Sequence, residues 1–159
     1  MIVVSNTSPI TNLAAIGKLD LLRQLYHRIA IPDAVYRELT ADGGIYPGAV
    51  IESLDWIEVV IVENRSLVIA LQAELDEGEA EAIALAQSKS FDLVLMDEHL
   101  GRVIAVRFGL RVVGILGVLV EAKNRGLVEE VKPLIDALMM VGFRIGRDLY
   151  ARVLQAAGE

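Results

Sequence analysis

Four residues have types and places in the chain that could do chemistry. Asn6 follows the apolar run Ile2-Val3-Val4-Ser5, and Asp97 follows Leu93-Val94-Leu95-Met96. Glu38 lies in the stretch opened by Pro32, and Glu79 in the first turn of an alanine-rich stretch. Carboxylate and amide oxygens are hard ligands that suit Mg²⁺ or Mn²⁺. A cation held by them polarises a phosphoryl oxygen and lowers the pKa of an attacking water. The chemistry would be metal-assisted phosphodiester hydrolysis. Around the four, Glu98 brings a further charge, His99 a group able to move a proton, and Arg102 a guanidinium able to meet a phosphate. Thr7 and Ser8, beside Asn6, could support the site or touch a phosphate.

Each of these residues also has a plainer use, and taken singly the plainer use is the commoner one. Asp76 and Glu79 have the spacing of a capping box. Asp97 can cap the helix that carries His99 and Arg102, and Asn6 can satisfy backbone groups in a turn. Glu38 can be a solvated helix residue, and Glu98 with Arg102 has the spacing of an ordinary i,i+4 ion pair. Glu81, two residues after Glu79, points away from it on a helix.

The elements that must position these groups alternate between short apolar runs and helical patterns. Ile2 to Ser5 reads as a buried strand, followed by a helix with Ser8 as cap and Pro9 in its first turn. Gly17 breaks that helix before a second piece over Leu19 to Leu25. Arg28 to Ile31 is a second strand. The next helix starts at Pro32, turns Val35, Tyr36 and Leu39 inward, and stops at Gly43-Gly44. Residues 45–55 read as a loop with a short helix after Pro47.

Ile57 to Val62 is a third strand, and Ser66 to Leu75 is helical. Asp76 to Ser88 is a strong helix, Leu93 to Met96 a fourth strand, His99 to Phe108 a helix and Arg111 to Val113 a short fifth strand. From Gly117 the chain is helical, with breaks near Arg125-Gly126 and Gly142-Phe143. It ends as a helical hairpin over about 127–157 that faces Val131, Leu134, Leu138, Val141, Leu149 and Val153 inward. Alternating strands and helices imply one parallel sheet, and strands with little polar alternation imply helices on both faces. Ligands of such sheets sit beyond the carboxyl ends of the strands, which is where Asn6 and Asp97 fall.

The bulk composition agrees. The 159 residues are 54% hydrophobic and only 5% aromatic, so the core is aliphatic and residues 1–159 read as one α/β domain. Cysteine is absent and there are two histidines, which rules out thiolate zinc sites and disulfides and fits a cytoplasmic protein. The longest charge-free apolar run, Val112 to Val120, is far short of the roughly 20 residues of a membrane span, and the first residues lack the pattern of a signal peptide. A formal net charge of −7 argues against nucleic-acid binding by bulk charge; a nucleic-acid enzyme of this composition could bring metal ions to neutralise substrate phosphates, and a basic partner protein is another way out. Apolar residues near the second helix break, Met139, Met140 and Phe143, suggest a homodimer.

Several runs taken together resemble the PIN-domain nucleases, and among them the DUF3368 subgroup. They are Val4-Ser5-Asn6-Thr7-Ser8-Pro9, Pro32-Asp33-Ala34-Val35-Tyr36-Arg37-Glu38-Leu39, Gly78-Glu79-Ala80-Glu81-Ala82-Ile83-Ala84-Leu85-Ala86 and Leu95-Met96-Asp97-Glu98, with the tail from Gly142-Phe143-Arg144-Ile145 to Leu149-Tyr150. The resemblance implies a three-layer α/β sandwich with a five-stranded parallel sheet. It also implies an acidic pocket for Mg²⁺ or Mn²⁺ in which Glu38, Glu79 and Asp97 match three acidic positions. The first acidic position of the family is normally Asp; here it is Asn6, which offers an oxygen without a charge. Many relatives are ribonuclease toxins held by small antitoxin proteins, and they commonly dimerise.

The leading expectation is therefore a metal-dependent endoribonuclease acting on RNA, the toxin of a toxin–antitoxin pair. The alternative is a PIN-like module that binds RNA or protein without cutting. A phospho-accepting signalling domain would need a Lys after a late strand, and the strand ending near Val113 is followed by Gly114-Ile115 instead.

Overall fold

The computed structural model describes residues 2–41 and 48–159. The expected stop at Gly43-Gly44 and the first part of the 45–55 loop lie outside those residues. Five strands form one parallel sheet: β1 (Val3–Ser5), β2 (Ile29–Pro32), β3 (Ile57–Val60), β4 (Leu93–Leu95) and β5 (Val112–Val113). Their order across the sheet is β3-β2-β1-β4-β5. From β1 the chain steps outward to β2 and β3, then returns to lay β4 on the other edge of β1. That reversal opens a crevice at the carboxyl ends of β1 and β4. Ser5 is in register with Leu95, and the Asn6 N–H donates to Leu95 O at 2.9 Å, so the two strands carry their pairing up to the crevice.

Before β4 lie α1 (Thr7–Ala15), α2 (Asp20–Tyr26), α3 (Asp33–Thr40), α4 (Gly48–Ser53), α5 (Arg65–Leu71) and α6 (Glu77–Ser88). After it come α7 (His99–Arg107), α8 (Ile115–Asn124), α9 (Lys132–Met140) and α10 (Arg147–Ala156). Side chains alternate across each strand. Val3, Ile29, Ile31, Leu93 and Leu95 pack on one face with residues of α1, α2, α3, α8 and α9. Val4, Ala30, Val94 and Met96 pack on the other with residues of α5, α6 and α7. The result is the three-layer sandwich expected of strands apolar on both sides.

Helix α6 is buried from Gly78 to Ala86 and packs against β1, β2 and β4 as well as α3, α5 and α7. Alanine lets those neighbours approach closely, and a helix apolar all round belongs in the interior.

Besides shifts of up to about four residues at element ends, such as α5 closing at Leu71 rather than Leu75 and β3 at Val60 rather than Val62, four details differ from the sequence reading. The cap of α1 is Asn6 rather than Ser8; Ser8 and Pro9 sit inside the first turn, where backbone N–H groups lack helical partners in any case. Pro32 closes β2 and caps α3 instead of opening the helix. Helix α8 begins at Ile115, two residues before Gly117, because Gly114 takes the extended backbone of an N-cap. In the C-terminal helices Val131, Leu138 and Val153 are buried as expected, but Val141 (49%) and Leu149 (41%) are exposed. They fall at the two sides of the turn between α9 and α10, beyond the reach of the core.

Candidate active site

Asn6 stands at the N-cap of α1 with extended backbone, and its side chain makes no cap hydrogen bond. Such a bond is worth about 1 kcal/mol, so the plain capping role does not explain this nearly buried amide. Its Oδ1 comes instead to the start of α6. A Cβ placed on Gly78 would lie 3.4 Å from Asn6 Oδ1 and 2.6 Å from Glu38 Oε1. The missing side chain of Gly78 is what lets these two oxygens converge. Any other residue there would push Glu38 aside.

Glu38 is on the exposed side of the last turn of α3. Its place depends on a residue read from the sequence only as pointing away from Glu79. Glu81 is 2% exposed; its Oε1 accepts from Ala34 N at 2.9 Å, and its Oε2 accepts from Arg65 Nη1 at 2.7 Å. The Pro32 cap of α3 makes no side-chain bond, so the Glu81 carboxylate satisfies a first-turn N–H of that helix from across the interface. Ala34 is one helical turn before Glu38. Arg37, with Asp33 and Glu77, ties the same two helices at the surface.

Glu79 is buried and does form the capping box: Asp76 Oδ1 accepts from Glu79 N at 2.8 Å, and Glu79 Oε2 accepts from Asp76 N at 3.2 Å. Its Oε1 takes no hydrogen bond among the described residues. Burial raises its pKa, and the charges of Asp76, Glu98 and Glu38 raise it further against the lowering effect of the Asp76 N–H.

Asp97 does not cap α7, whose N-cap is Glu98. Its Oδ1 accepts from Ile115 N at 2.8 Å and so caps α8. Its Oδ2 is buried and, like the buried Thr7 Oγ1, has no hydrogen-bond partner among the described residues. Burial raises the Asp97 pKa, the Ile115 N–H and Arg102 pull it down, and Glu98 pushes it up. Arg102 does not pair with Glu98. It lies against Gly114 beside Asp97: a Cβ on Gly114 would be 2.5 Å from Arg102 Nη1 and 2.8 Å from Asp97 Oδ1.

The candidates thus fall into two halves. Asn6 Oδ1 and Glu38 Oε1 meet over Gly78, with Glu79 the next residue of α6, and Asp97 and Arg102 meet over Gly114. Glu98, exposed at the N-cap of α7, raises the pKa of both Glu79 and Asp97 through its charge. Beyond Asp97 a groove of about 950 Å³ opens, with Ser8, His99, Arg102, Phe143 and Arg144 on its walls.

The chain matches the DUF3368 family, described as PIN domain, over residues 2–159. It belongs to that PIN-domain family. No curated protein matches it.

In this PIN domain a divalent cation can be tested against the donors present. The donors are all oxygens, as Mg²⁺ and Mn²⁺ prefer. Asp97 Oδ2 is a buried carboxylate oxygen with no proton donor to satisfy it, and the Gly78 notch brings Asn6 Oδ1 and Glu38 Oε1 to one place. These features fit a cation. Among the described residues no three His, Asp or Glu side chains stand close enough to hold a metal as they are. Backbone N–H groups hold one oxygen each of Glu79 and Asp97, and like charges with nothing to neutralise them favour separation.

Gly78, Gly114 and Arg144 had no role in the residue-by-residue reading of the sequence, and Glu81 was read only as pointing away from Glu79. A glycine in the first turn of an otherwise alanine-rich helix was the available signal, since such a residue has a packing reason when it persists.

Proposed function

We propose that this PIN domain hydrolyses RNA phosphodiester bonds with Mg²⁺ or Mn²⁺ held by Asn6, Glu38, Glu79 and Asp97. The observation that supports it most is the unsatisfied, buried Asp97 Oδ2 at the carboxyl end of β4. An orphaned polar group of this kind costs about 1–3 kcal/mol, and a cation removes that cost. The bound ion would polarise a phosphoryl oxygen and lower the pKa of the attacking water. The chain's own residues do the rest. Ile115 N fixes the Asp97 carboxylate, Glu81 sets the turn of α3 that carries Glu38, and Arg102 stands beside Asp97, where it can meet a phosphate oxygen. A toxin role and a small antitoxin as partner are what the family resemblance implies, and a cytoplasmic place of action is what the absence of cysteine fits. Among the described residues no helix is long and apolar enough to cross a membrane.

A second reading is favoured by one residue. Asn6 replaces a carboxylate with a neutral amide, and a site short of one charge suits a module that binds RNA or protein without cutting. Cleavage of a labelled RNA separates the two. The nuclease reading expects slow cleavage in Mn²⁺ that stops on chelation and falls about a hundredfold in Asp97→Asn, the scale of losing one electrostatic group from a site. The Asn6 amide keeps cleavage by the parent itself slow. Asn at 97 can still accept from Ile115 N, so the fold should persist. Binding of RNA with no metal-dependent cleavage would favour the second reading.

A further inference from the structure

We propose that a hollow at the amino end of the sheet, opposite the candidate active site, binds a small anion built on a flat ring that carries an N–H group. Arg28 and Lys89 hold its anionic group, Phe91 and Ile2 its ring, and Glu58 accepts from the ring N–H. This site is independent of the RNA-cleaving reading. Helix α6 runs from the Gly78 notch to the edge of the hollow, and its 12 residues, at about 1.5 Å each, put about 18 Å between the two places.

The hollow, of about 550 Å³, lies where β1, β2 and β3 begin and α6 ends. Its size suits a small ligand. The sequence leaves it open at the floor. Val4, Ala30 and Glu58 stand in register across β1, β2 and β3, and Ala30 is the smallest side chain of β2, set between Ile29 and Ile31. Phe91 is half-buried, packs on the core and lines the hollow. Ile2 also lines it and is 55% exposed. A pair of bonds fixes Ile2 there: its N–H donates to Asp92 Oδ2 at 2.7 Å, and Asp92 N donates to Ile2 O at 2.9 Å.

The backbone singles out the same place. Among the described residues two non-glycine residues have positive φ, His27 at +65° and Ser90 at +52°, and both stand here. His27 lines the hollow, and Ser90 joins Lys89 to Phe91, which line it too. At His27 ψ is −44°, and Arg28 N donates to Tyr26 O at 2.7 Å. That is a γ-turn of the rare, strained hand. Glycine adopts such backbone freely; side chains kept in it gather at ligand clamps and other working sites. Charge then selects the ligand. Arg28 and Lys89 are exposed, one on each of these two segments, and both line the hollow with Glu58. A guanidinium and an ammonium group suit an anion. Glu58 turns away a second anionic group and accepts a hydrogen bond instead. The flat face of Phe91 favours a ring.

Calorimetric titration of the metal-free protein tests this with two anions, guanosine monophosphate and indoleacetate, each beside an uncharged counterpart, guanosine and tryptophol. At least one anion should bind, about tenfold or more tighter than its counterpart, the effect of one charged hydrogen bond. Arg28→Gln and Lys89→Gln, both at exposed positions, should each weaken that binding by about the same factor. Ala30→Val fills the hollow from its floor with a residue that suits a strand. It should abolish binding while the melting temperature holds or rises. Should Ala30→Val melt lower, the Arg28 and Lys89 variants still decide. Binding of the nucleotide alone assigns the site to nucleotides, and binding of indoleacetate alone assigns it to aromatic acids; either supports the proposal. No binding of either anion at millimolar concentration overturns it. So does binding that the uncharged counterparts match, or binding that all the variants leave unchanged.

Discussion

Asn6 is the residue on which the proposed chemistry turns. Its amide oxygen shares the Gly78 notch with Glu38 Oε1 but adds no charge. Asn6→Asp tests whether that missing charge matters. A carboxylate whose folded pKa lies above its unfolded value binds its proton more tightly in the folded state. Ionising it therefore costs stability as pH rises from the unfolded value to the folded one. The cost is absent below that interval and full above it. Glu79 and Asp97 are already in this position, raised first by burial from 4.5 and 3.8, and a new Asp beside Glu38 would join them. Without metal the variant should melt below the parent at pH 7, by roughly 1–2 kcal/mol, the energy of about one unit of pKa shift. The gap should close as pH falls toward 4.5, and Mn²⁺ should reverse it by binding only the folded form. Glu159, held down to about 2 by the Val131 N–H and Lys123, loses its contribution at lower pH in both proteins and cancels from the comparison. Thermal melts at pH 7 and pH 5, with and without Mn²⁺, give the answer. An equal metal-induced rise in the two proteins would put Asn6 outside the cation's ligands. The positions of Asn6, Glu79 and Asp97 were legible in sequence because each adjoins the end of a strand or the start of a helix. The role of Glu81 was not. Helical spacing says it points away from Glu79, which it does, but away from Glu79 is into the contact with α3 and α5, not into solvent.

At the scale of the elements, the strands and helices were legible because short apolar runs alternate with helical patterns, and their edges moved by one to a few residues. The differences have local causes. Asn6, not Ser8, has the extended backbone of a cap, and Gly114 starts α8 early so that Ile115 N can meet Asp97. What spacing could not give is how helices meet, and α3 against α6 is the pairing that makes the site. Gly78→Ala probes that meeting. Alanine in place of glycine favours the helix by about 0.5 kcal/mol or more, so the melting temperature should hold or rise. The new Cβ would fall 2.6 Å from Glu38 Oε1, at the far end of a flexible side chain that can swing aside at little cost. Mn²⁺ affinity should then drop several-fold while stability does not. Calorimetric titration beside a thermal melt reads both. Unchanged affinity with a raised melting temperature would mean that Glu38 is not a ligand.

The whole molecule presents more apolar surface at one end than its core can take up. Met140 is 88% exposed and Met139 44%, on the last turn of α9, while Val141 and Leu149 beside them line the groove that runs to Asp97. The inner sides of the same helices are fully used: Ile135 and Leu138 are buried, and Tyr150 and Lys132 both hold Asp136. The exposed methionines are thus not the result of a misplaced helix. They belong to the outer face of one that is properly seated. Unbranched, polarisable methionines adapt to an apolar partner surface, and a patch of this kind on a chain that is 54% hydrophobic favours association. A second copy related by a two-fold axis would cover the patch with itself. Light scattering at low micromolar concentration should give twice the 17.3 kDa of one chain. Met140→Glu, which places a charge in that contact and disturbs nothing buried, should return the mass to a single chain with the melting behaviour of a folded protein. A parent that scatters as 17.3 kDa would leave the patch without a second copy as its partner.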